Sequence, residues 1–228
     1  MNWKTGLLLA GLVLVGAGCS GVEDADPQTV TEDQGEAIEF TLADGAYALD
    51  ADASTLAWDA KKVGGAHNGT TGLTSGGLEV VEGAITAGTF VIDMDSIAVL
   101  DIEGDQNEAL VEHLGSEAFF NIAEFEASIF TVTGATENAL TGDLTIKGIT
   151  HEISFAYALA TEGEELTLTA AFPINRTQWE ILFGSESVID RVESVIIDDE
   201  INYDLELIFS IPQSDEMAGD TDDSADVE

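Results

Sequence analysis

The sequence predicts an all-β fold, an antiparallel barrel or sandwich of about eight strands. Three observations predict it: many short segments alternate apolar and polar residues, turn signals separate these segments at even spacing, and no βαβ rhythm appears. Strict alternation is typical of a strand with one buried and one solvated face. About eight strands close into a barrel that holds side chains or one small ligand. An apolar inner face without a polar constellation suits a hydrophobic ligand.

The clearest strand pair is predicted in residues 140–159, LTGDLTIKGITHEISFAYAL. Two alternating runs are separated by Lys147 and Gly148, and a glycine at such a break marks a tight turn. The segment therefore predicts a β-hairpin with an aliphatic and aromatic inner face. The inner-face residues considered for ligand contact are Ile146, Ile153, Phe155 and Tyr157.

The remaining elements follow the same pattern with one interruption. Residues 107–120 break the strand rhythm and predict a short helical insertion that includes Leu110, His113 and Leu114. The glycine-rich stretch 61–72 predicts a turn region, and residues 175–185 predict a loop. Strands are predicted in residues 47–50, 55–60, 78–81, 88–95, 128–132, 166–172 and 194–211.

The charge balance is extreme for a chain of 228 residues. It has 45 Asp and Glu against 6 Lys and Arg, a formal net charge of −39. Nucleic acid is excluded as a partner because phosphate binding needs clustered basic residues, and a bare anionic membrane would repel the protein. Two interpretations stay open: an acidic exported domain, or a protein from a high-salt habitat where short Debye lengths screen self-repulsion.

The N-terminus predicts export and lipidation. Residues 1–18 combine Lys4, a short apolar stretch and small residues, as in a secretory signal peptide. Ala17-Gly18-Cys19 resembles the end of a bacterial lipoprotein signal, and acylated Cys19 would then attach the chain to the membrane. The alternative is an ordinary signal peptide with an incidental cysteine. Acidic disordered segments are predicted at 19–43 and 213–228, leaving 44–212 as the folded domain.

Six motifs occur in an order that resembles the YceI-like family. Each is weak alone, but their order makes the resemblance specific, and it covers roughly residues 46–211. They are Trp58 and Lys61 with His67-Asn68-Gly69, GTFVIDMDSI at 88–97, LVEHLGSEAFF at 110–120, LTGDLTIKGIT at 140–150, Arg176-Thr177-Gln178-Trp179 with Phe183-Gly184-Ser185, and Asp198-Asp199-Glu200-Ile201.

The resemblance implies a lipocalin-like antiparallel β-barrel that holds a polyisoprenoid or similar long lipid. It also implies a lipoprotein of the bacterial cell envelope, in the outer membrane and facing the periplasm or the cell surface. Glu126 departs from the family, which usually has a proline there. Two alternatives stay open: a structural envelope module with a filled core, and an accessory enzyme or stress protein using the same cavity.

The polar and aromatic candidates for ligand contact each have a structural alternative. His67 would contact a ligand head group or hydrogen-bond turn backbone. Arg176 would face a phosphate or quinone-type head group, or form a structural salt bridge because a buried arginine needs a partner. Trp179 and Phe183 would line the ligand site or fill the core.

Metal and enzyme chemistry find no support in the sequence. Its three histidines form no HxH, HxxxH or HExxH pattern, so no metal site is expected. His113 is expected to pack or cap, and His151 to be a satisfied inner-face residue. No GxSxG elbow occurs and Cys19 is the sole cysteine. We therefore expect neither catalytic residues nor a cofactor.

Overall fold

The computed structural model describes residues 41–185 and 196–212, which form one curled antiparallel sheet with a short helix. Helix α1 spans Asp105–Gly115, and a 3₁₀ turn spans Arg176–Trp179. The strands are β1 Gly45–Lys62, β2 Gly65–Val81, β3 Ala84–Val99, β4 Ala127–Ala135, β5 Ala139–Ile146, β6 Ile149–Ala156, β7 Ala158–Glu162, β8 Glu165–Asn175 and β9 Ile197–Ser210.

The strand order is β6-β5-β4-β3-β2-β1-β9-β8-β7, so the two edge strands β6 and β7 are neighbours in sequence. Only Tyr157 separates them: β6 pairs with β5, and β7 pairs with β8. One chain segment thus changes partners as it crosses from one edge of the sheet to the other. The second run of the predicted hairpin is thereby divided into two strands, so the described residues contain nine strands where about eight were predicted. The predicted all-β, barrel-type fold is confirmed.

The predicted hairpin at 140–159 is present as β5 and β6. Ile146 pairs with Ile149, and the two residues between them have positive φ, 51° at Lys147 and 72° at Gly148. Two positive φ values match the twist of the flanking strands. Alternation along β5 is complete, since Leu140, Gly142, Leu144 and Ile146 are all buried.

The prediction of a turn region at 61–72 is wrong, because only Val63 and Gly64 separate β1 from β2. Gly69 shows why glycines occur inside a strand here. A Cβ at Gly69 would clash with the Trp58 ring and with the Ala98 carbonyl oxygen. The glycine permits close packing within the sheet rather than a turn.

The predicted helical insertion is confirmed as α1, which follows β3 and closes one end of the curled sheet. The Asn107 side-chain amide donates to the carbonyls of Val99 (2.7 Å) and Ile102 (2.8 Å) and so ties the helix to the end of β3. Leu114 of the helix and the following Phe119 and Phe120 are all buried. This apolar cap excludes water from one end of the interior.

The predicted signal peptide, Cys19, most of the predicted tether at 19–43 and the acidic tail fall outside the described residues. Within residues 41–185 and 196–212, no helix has the length and apolar character needed to cross a membrane.

Candidate functional site

The interior of the curled sheet contains a cavity of about 120 Å³. Along β5 its wall runs from Leu140 to Ile146, about 20 Å at roughly 3.3 Å per strand residue. The small volume and long wall indicate a narrow, elongated space. The other aliphatic and sulfur-containing lining residues are Leu56, Ala60, Leu73, Ile92, Met94, Ile97, Leu114, Leu144, Ile153, Leu168, Ile201, Leu205 and Leu207.

Aromatic rings contact one another around this wall. The Phe155 and Phe172 rings stack with centroids 4.0 Å apart, and Phe130 lies 5.6 Å from Phe155. Phe90 continues the series, 6.4 Å from Phe130, and Tyr203 lies 6.1 Å from Phe172. The Phe155–Phe172 and Phe90–Phe130 pairs are stacked and the other two pairs are tilted. Aromatic pairs add about 0.5–1.5 kcal/mol each beyond the apolar area they bury.

The Phe155–Phe172 stack closes a seam between β6 and β8, where the described residues form no backbone ladder. Two hydrogen bonds join the 3₁₀ turn to the hairpin of β5 and β6. His151 Nε2 on β6 lies 2.9 Å from the Gln178 carbonyl. The Trp179 indole N–H donates to the Leu144 carbonyl on β5 at 3.1 Å. Side chains and the 3₁₀ turn therefore complete the wall at this seam.

The cavity wall has few polar groups and, among the described residues, no charged one. Its hydroxyls belong to Thr71, Ser128 and Tyr203, and Ser128 donates to Met94 Sδ at 3.2 Å. The Trp58 indole N–H donates to the Thr70 carbonyl at 3.3 Å. Burial raises the pKa of Tyr203 well above its ordinary value, so its hydroxyl is neutral at physiological pH.

Arg176 is fully buried and lies outside this wall. Its guanidinium donates to the carbonyls of Asp198 (3.0 Å), Ile181 (2.7 Å), Phe183 (2.9 Å) and Ile197 (3.0 Å). Burial lowers the pKa of Arg176 while Asp199, 3.7 Å away, opposes the shift, and an arginine stays protonated regardless. These contacts favour the structural role, because four backbone carbonyls already occupy the guanidinium.

His67 also lies outside the cavity wall, in a surface network at the start of β2. Lys62 Nζ lies 2.8 Å from His67 Nε2, and His67 Nδ1 lies 2.8 Å from Asp101 Oδ2. An ammonium has only donors, so Nε2 accepts and Nδ1–H donates to the carboxylate. Burial raises the pKa of Asp101, but hydrogen bonds from His67 and from the Asn68 N–H outweigh it and hold that pKa below its usual value.

The remaining sequence candidates divide between the wall and its surroundings. Ile146, Ile153 and Phe155 come together on the cavity wall. Trp179 is fully buried in the 3₁₀ turn, and Phe183, 37% exposed, packs edge-on against His113 with centroids 4.4 Å apart. Tyr157 joins β6 to β7 and donates its hydroxyl to the Thr136 carbonyl at 2.8 Å. The cavity lining includes none of these last three.

Sequence reasoning missed the opposite side of the wall. Trp58 on β1, Tyr203 on β9 and Phe172 on β8 form one cross-strand row, since Trp58 pairs with Tyr203 and Tyr203 with Phe172. The alternation of β9 places Ile201, Tyr203 and Leu205 on one face and could have indicated this side of the wall. Within residues 41–185 and 196–212, no three His, Cys, Asp or Glu side chains converge as metal ligands.

Comparison with known proteins gives consistent results. Residues 47–209 match the family model described as YceI-like domain. A UPF0312 protein of Staphylococcus aureus is 31% identical over 115 residues, which cover 47% of this chain and 66% of that relative, just under two thirds of its length.

Two solved structures share the fold. The Burkholderia cenocepacia protein BcnA has a TM-score of 0.56 and 19% identity, covering 70% of this chain and 98% of its own. A polyisoprenoid binding domain from Saccharophagus degradans, implicated in plant cell wall breakdown, has a TM-score of 0.57 and 17% identity, covering 73% and 98%.

Proposed function

Since the chain belongs to the YceI-like domain family, we propose that it binds a long hydrophobic ligand, an isoprenoid-like lipid, inside its curled sheet. The observation that carries the proposal is the elongated cavity, whose described wall is apolar and aromatic and holds no charged side chain. Each CH₂ buried against such a wall contributes roughly 0.8 kcal/mol. The structural similarity to a polyisoprenoid binding domain supports the same ligand class.

Carriage or sequestration fits this wall better than catalysis does. A reaction site brings titratable or nucleophilic groups to the substrate, whereas the described wall offers only hydroxyls and an indole as polar groups. An apolar chain surrounded by such a wall is held and shielded from water. We therefore propose a binding protein that keeps its lipid out of solution.

The first prediction tests whether the cavity is the binding site. Ala60 lines the cavity, so Ala60→Leu should fill part of it and compete with the ligand. A polyprenol at 100 times its dissociation constant should stabilise the wild type by about 2.7 kcal/mol. We expect Ala60→Leu to lose most of this gain, measured by urea unfolding with and without the polyprenol.

The matched control is Ala57→Leu, which adds the same atoms at a position of the opposite parity on β1. This variant should keep the full ligand-induced stabilisation. Equal stabilisation of both variants would place the ligand outside the cavity. A folded wild type that gains no stability from the polyprenol would favour the structural module with a filled core.

The second prediction concerns attachment to the cell envelope, which we propose occurs through acylated Cys19. Diacylation provides stable anchoring because two or more acyl chains are needed for it. Cys19→Ser should move the protein from the membrane fraction to the soluble fraction, checked by fractionation and immunoblotting. A variant that stays in the membrane fraction after a high-salt wash would contradict lipidation as the anchor.

A further inference from the structure

Among the described residues, the Tyr203 hydroxyl is a polar group of the cavity wall for which the fold provides no partner. Tyr203 lies on the inner face of β9 and lines the cavity. Its hydroxyl has no hydrogen-bond partner among the described residues, although it lies deep in the domain. A buried hydroxyl without a partner costs about 1–3 kcal/mol, so a polar group at this position calls for an explanation.

The hydroxyl faces open space rather than packed apolar atoms. Among the described residues, it does not belong to the polar side-chain atoms that are sealed from solvent without a hydrogen bond, such as His113 Nε2. Tyr203 as a whole is only half-buried despite its depth. Because Tyr203 lies on the inner face of β9 and lines the cavity, we infer that a ligand in the cavity would meet its accessible hydroxyl.

The surroundings of Tyr203 define what it would bind. Its cross-strand neighbours Trp58 and Phe172 also line the cavity, and the Trp58 N–H is already occupied by the Thr70 carbonyl. The Tyr203 hydroxyl is thus a free donor between aromatic walls. A neutral phenol in an apolar space pairs best with a ketone, quinone, ester or alcohol oxygen.

An anionic group fits this position poorly. None of the described lining residues is basic, and the Arg176 guanidinium is occupied by backbone carbonyls away from the wall. A phosphate or pyrophosphate inside the cavity would be a buried charge without a counter-ion, which is strongly unfavourable.

We propose that Tyr203 is the specificity-determining residue of the cavity and donates its hydroxyl to a neutral acceptor oxygen of the bound lipid. This inference rests on the proposed function, since it takes the cavity to be the ligand site. It assigns the ligand to neutral oxygen-bearing isoprenoids, with the oxygen inside the cavity beside the Trp58–Tyr203–Phe172 row. Prenyl phosphates are excluded from that position.

The test compares three probes on the purified full chain after delipidation: the prenyl ketone geranylgeranylacetone, the branched hydrocarbon phytane, and geranylgeranyl phosphate. Trp58 lines the cavity, so tryptophan fluorescence and thermal shift can both report binding. We expect the wild type to bind the ketone about three- to tenfold more tightly than the hydrocarbon, the range of one net hydrogen bond. The phosphate should bind more weakly than the ketone.

Tyr203→Phe removes only the hydroxyl. It should reduce the affinity for the ketone to that for the hydrocarbon, leave the hydrocarbon affinity unchanged, and not lower the Tm of the unliganded protein. Tyr157→Phe is the matched control: its hydroxyl is bonded to Thr136 and lies outside the cavity lining. That control should lower the Tm and keep the preference for the ketone.

Three binding results would overturn the assignment while leaving the proposed function intact. They are equal binding of ketone and hydrocarbon by the wild type, a preference that survives Tyr203→Phe, and a preference lost instead in Thr71→Val, which removes another hydroxyl of the wall. A Tm loss in unliganded Tyr203→Phe as large as in Tyr157→Phe would also overturn it. If the wild type binds none of the three probes, the proposed function fails together with this inference.

Discussion

Replacing Arg176 with methionine should lower the free energy of unfolding by about 3–5 kcal/mol. Methionine fills part of the volume but has no donor, so the carbonyls of Ile181, Phe183, Ile197 and Asp198 lose their guanidinium partner in a buried place. Arg176 also lies 5.7 Å from the Phe119 ring and so connects these backbone segments to the apolar cap. Urea unfolding followed by circular dichroism measures the loss.

Two further variants make this prediction specific to the guanidinium. Arg176→Lys keeps the charge but has fewer donors in a different geometry, so we expect an intermediate loss. Lys147→Met is the control, because the exposed Lys147 Nζ donates to a single carbonyl, that of Glu180, at 3.3 Å. It should change stability by no more than about 0.5 kcal/mol. Similar losses for Arg176→Met and Lys147→Met would contradict the structural role of Arg176.

Elements with regular, local pairing could be predicted from the alternation of apolar and polar residues alone. The hairpin of β5 and β6 could be predicted because its partners are neighbours in sequence and every step from Ile146–Ile149 to Ala139–Ala156 keeps register. Helix α1 could be predicted because the strand alternation stops there. Both signals are contained within about twenty residues of sequence, so no long-range contact was needed to recognise them.

Glycine-rich sequence was misleading where packing, not turn geometry, required glycine. The stretch 61–72 has the composition of a loop, yet most of it lies in β2. The need for glycine at position 69 arises from the Trp58 ring on the paired strand, eleven residues earlier. Composition alone cannot separate this use of glycine from its use in turns.

The site itself could be predicted only in part. Ile146, Ile153 and Phe155 follow from parity on one hairpin and do line the cavity. The residues of the opposite wall were harder to predict, because the pairing of β1 with β9 shifts register between Asp50 and Thr55. After such a shift, the alternation at the start of β1 no longer indicates which later side chains face the interior. The surroundings of Arg176 could not be predicted from the sequence, because its partners are backbone carbonyls. Every residue has a carbonyl, so residue types do not indicate which ones accept from the guanidinium.

Phe155→Asp should lower the free energy of unfolding by about 4 kcal/mol or more and abolish the folded state in a marginally stable protein. Phe155 is 7% exposed, lines the cavity and stacks on Phe172 across the seam between β6 and β8. Aspartate removes the stack and places a charge beside apolar side chains, where no basic residue of the described wall can pair with it. Phe155→Leu keeps an apolar side chain and should cost far less, about 1–2 kcal/mol.

Glu152→Lys, three residues away on the same strand, should be tolerated. Glu152 is exposed and lies opposite Asp143 on β5, so lysine replaces a like-charge cross-strand pair with an opposite-charge pair. Such a change is worth only about 0.2–1 kcal/mol, here in the stabilising direction. The series is measured by urea unfolding at one ionic strength, because surface charge effects depend on salt. Equal destabilisation by Phe155→Asp and Glu152→Lys would mean that β6 is shifted by one residue, since a one-residue slip exchanges the inner and outer faces of a strand.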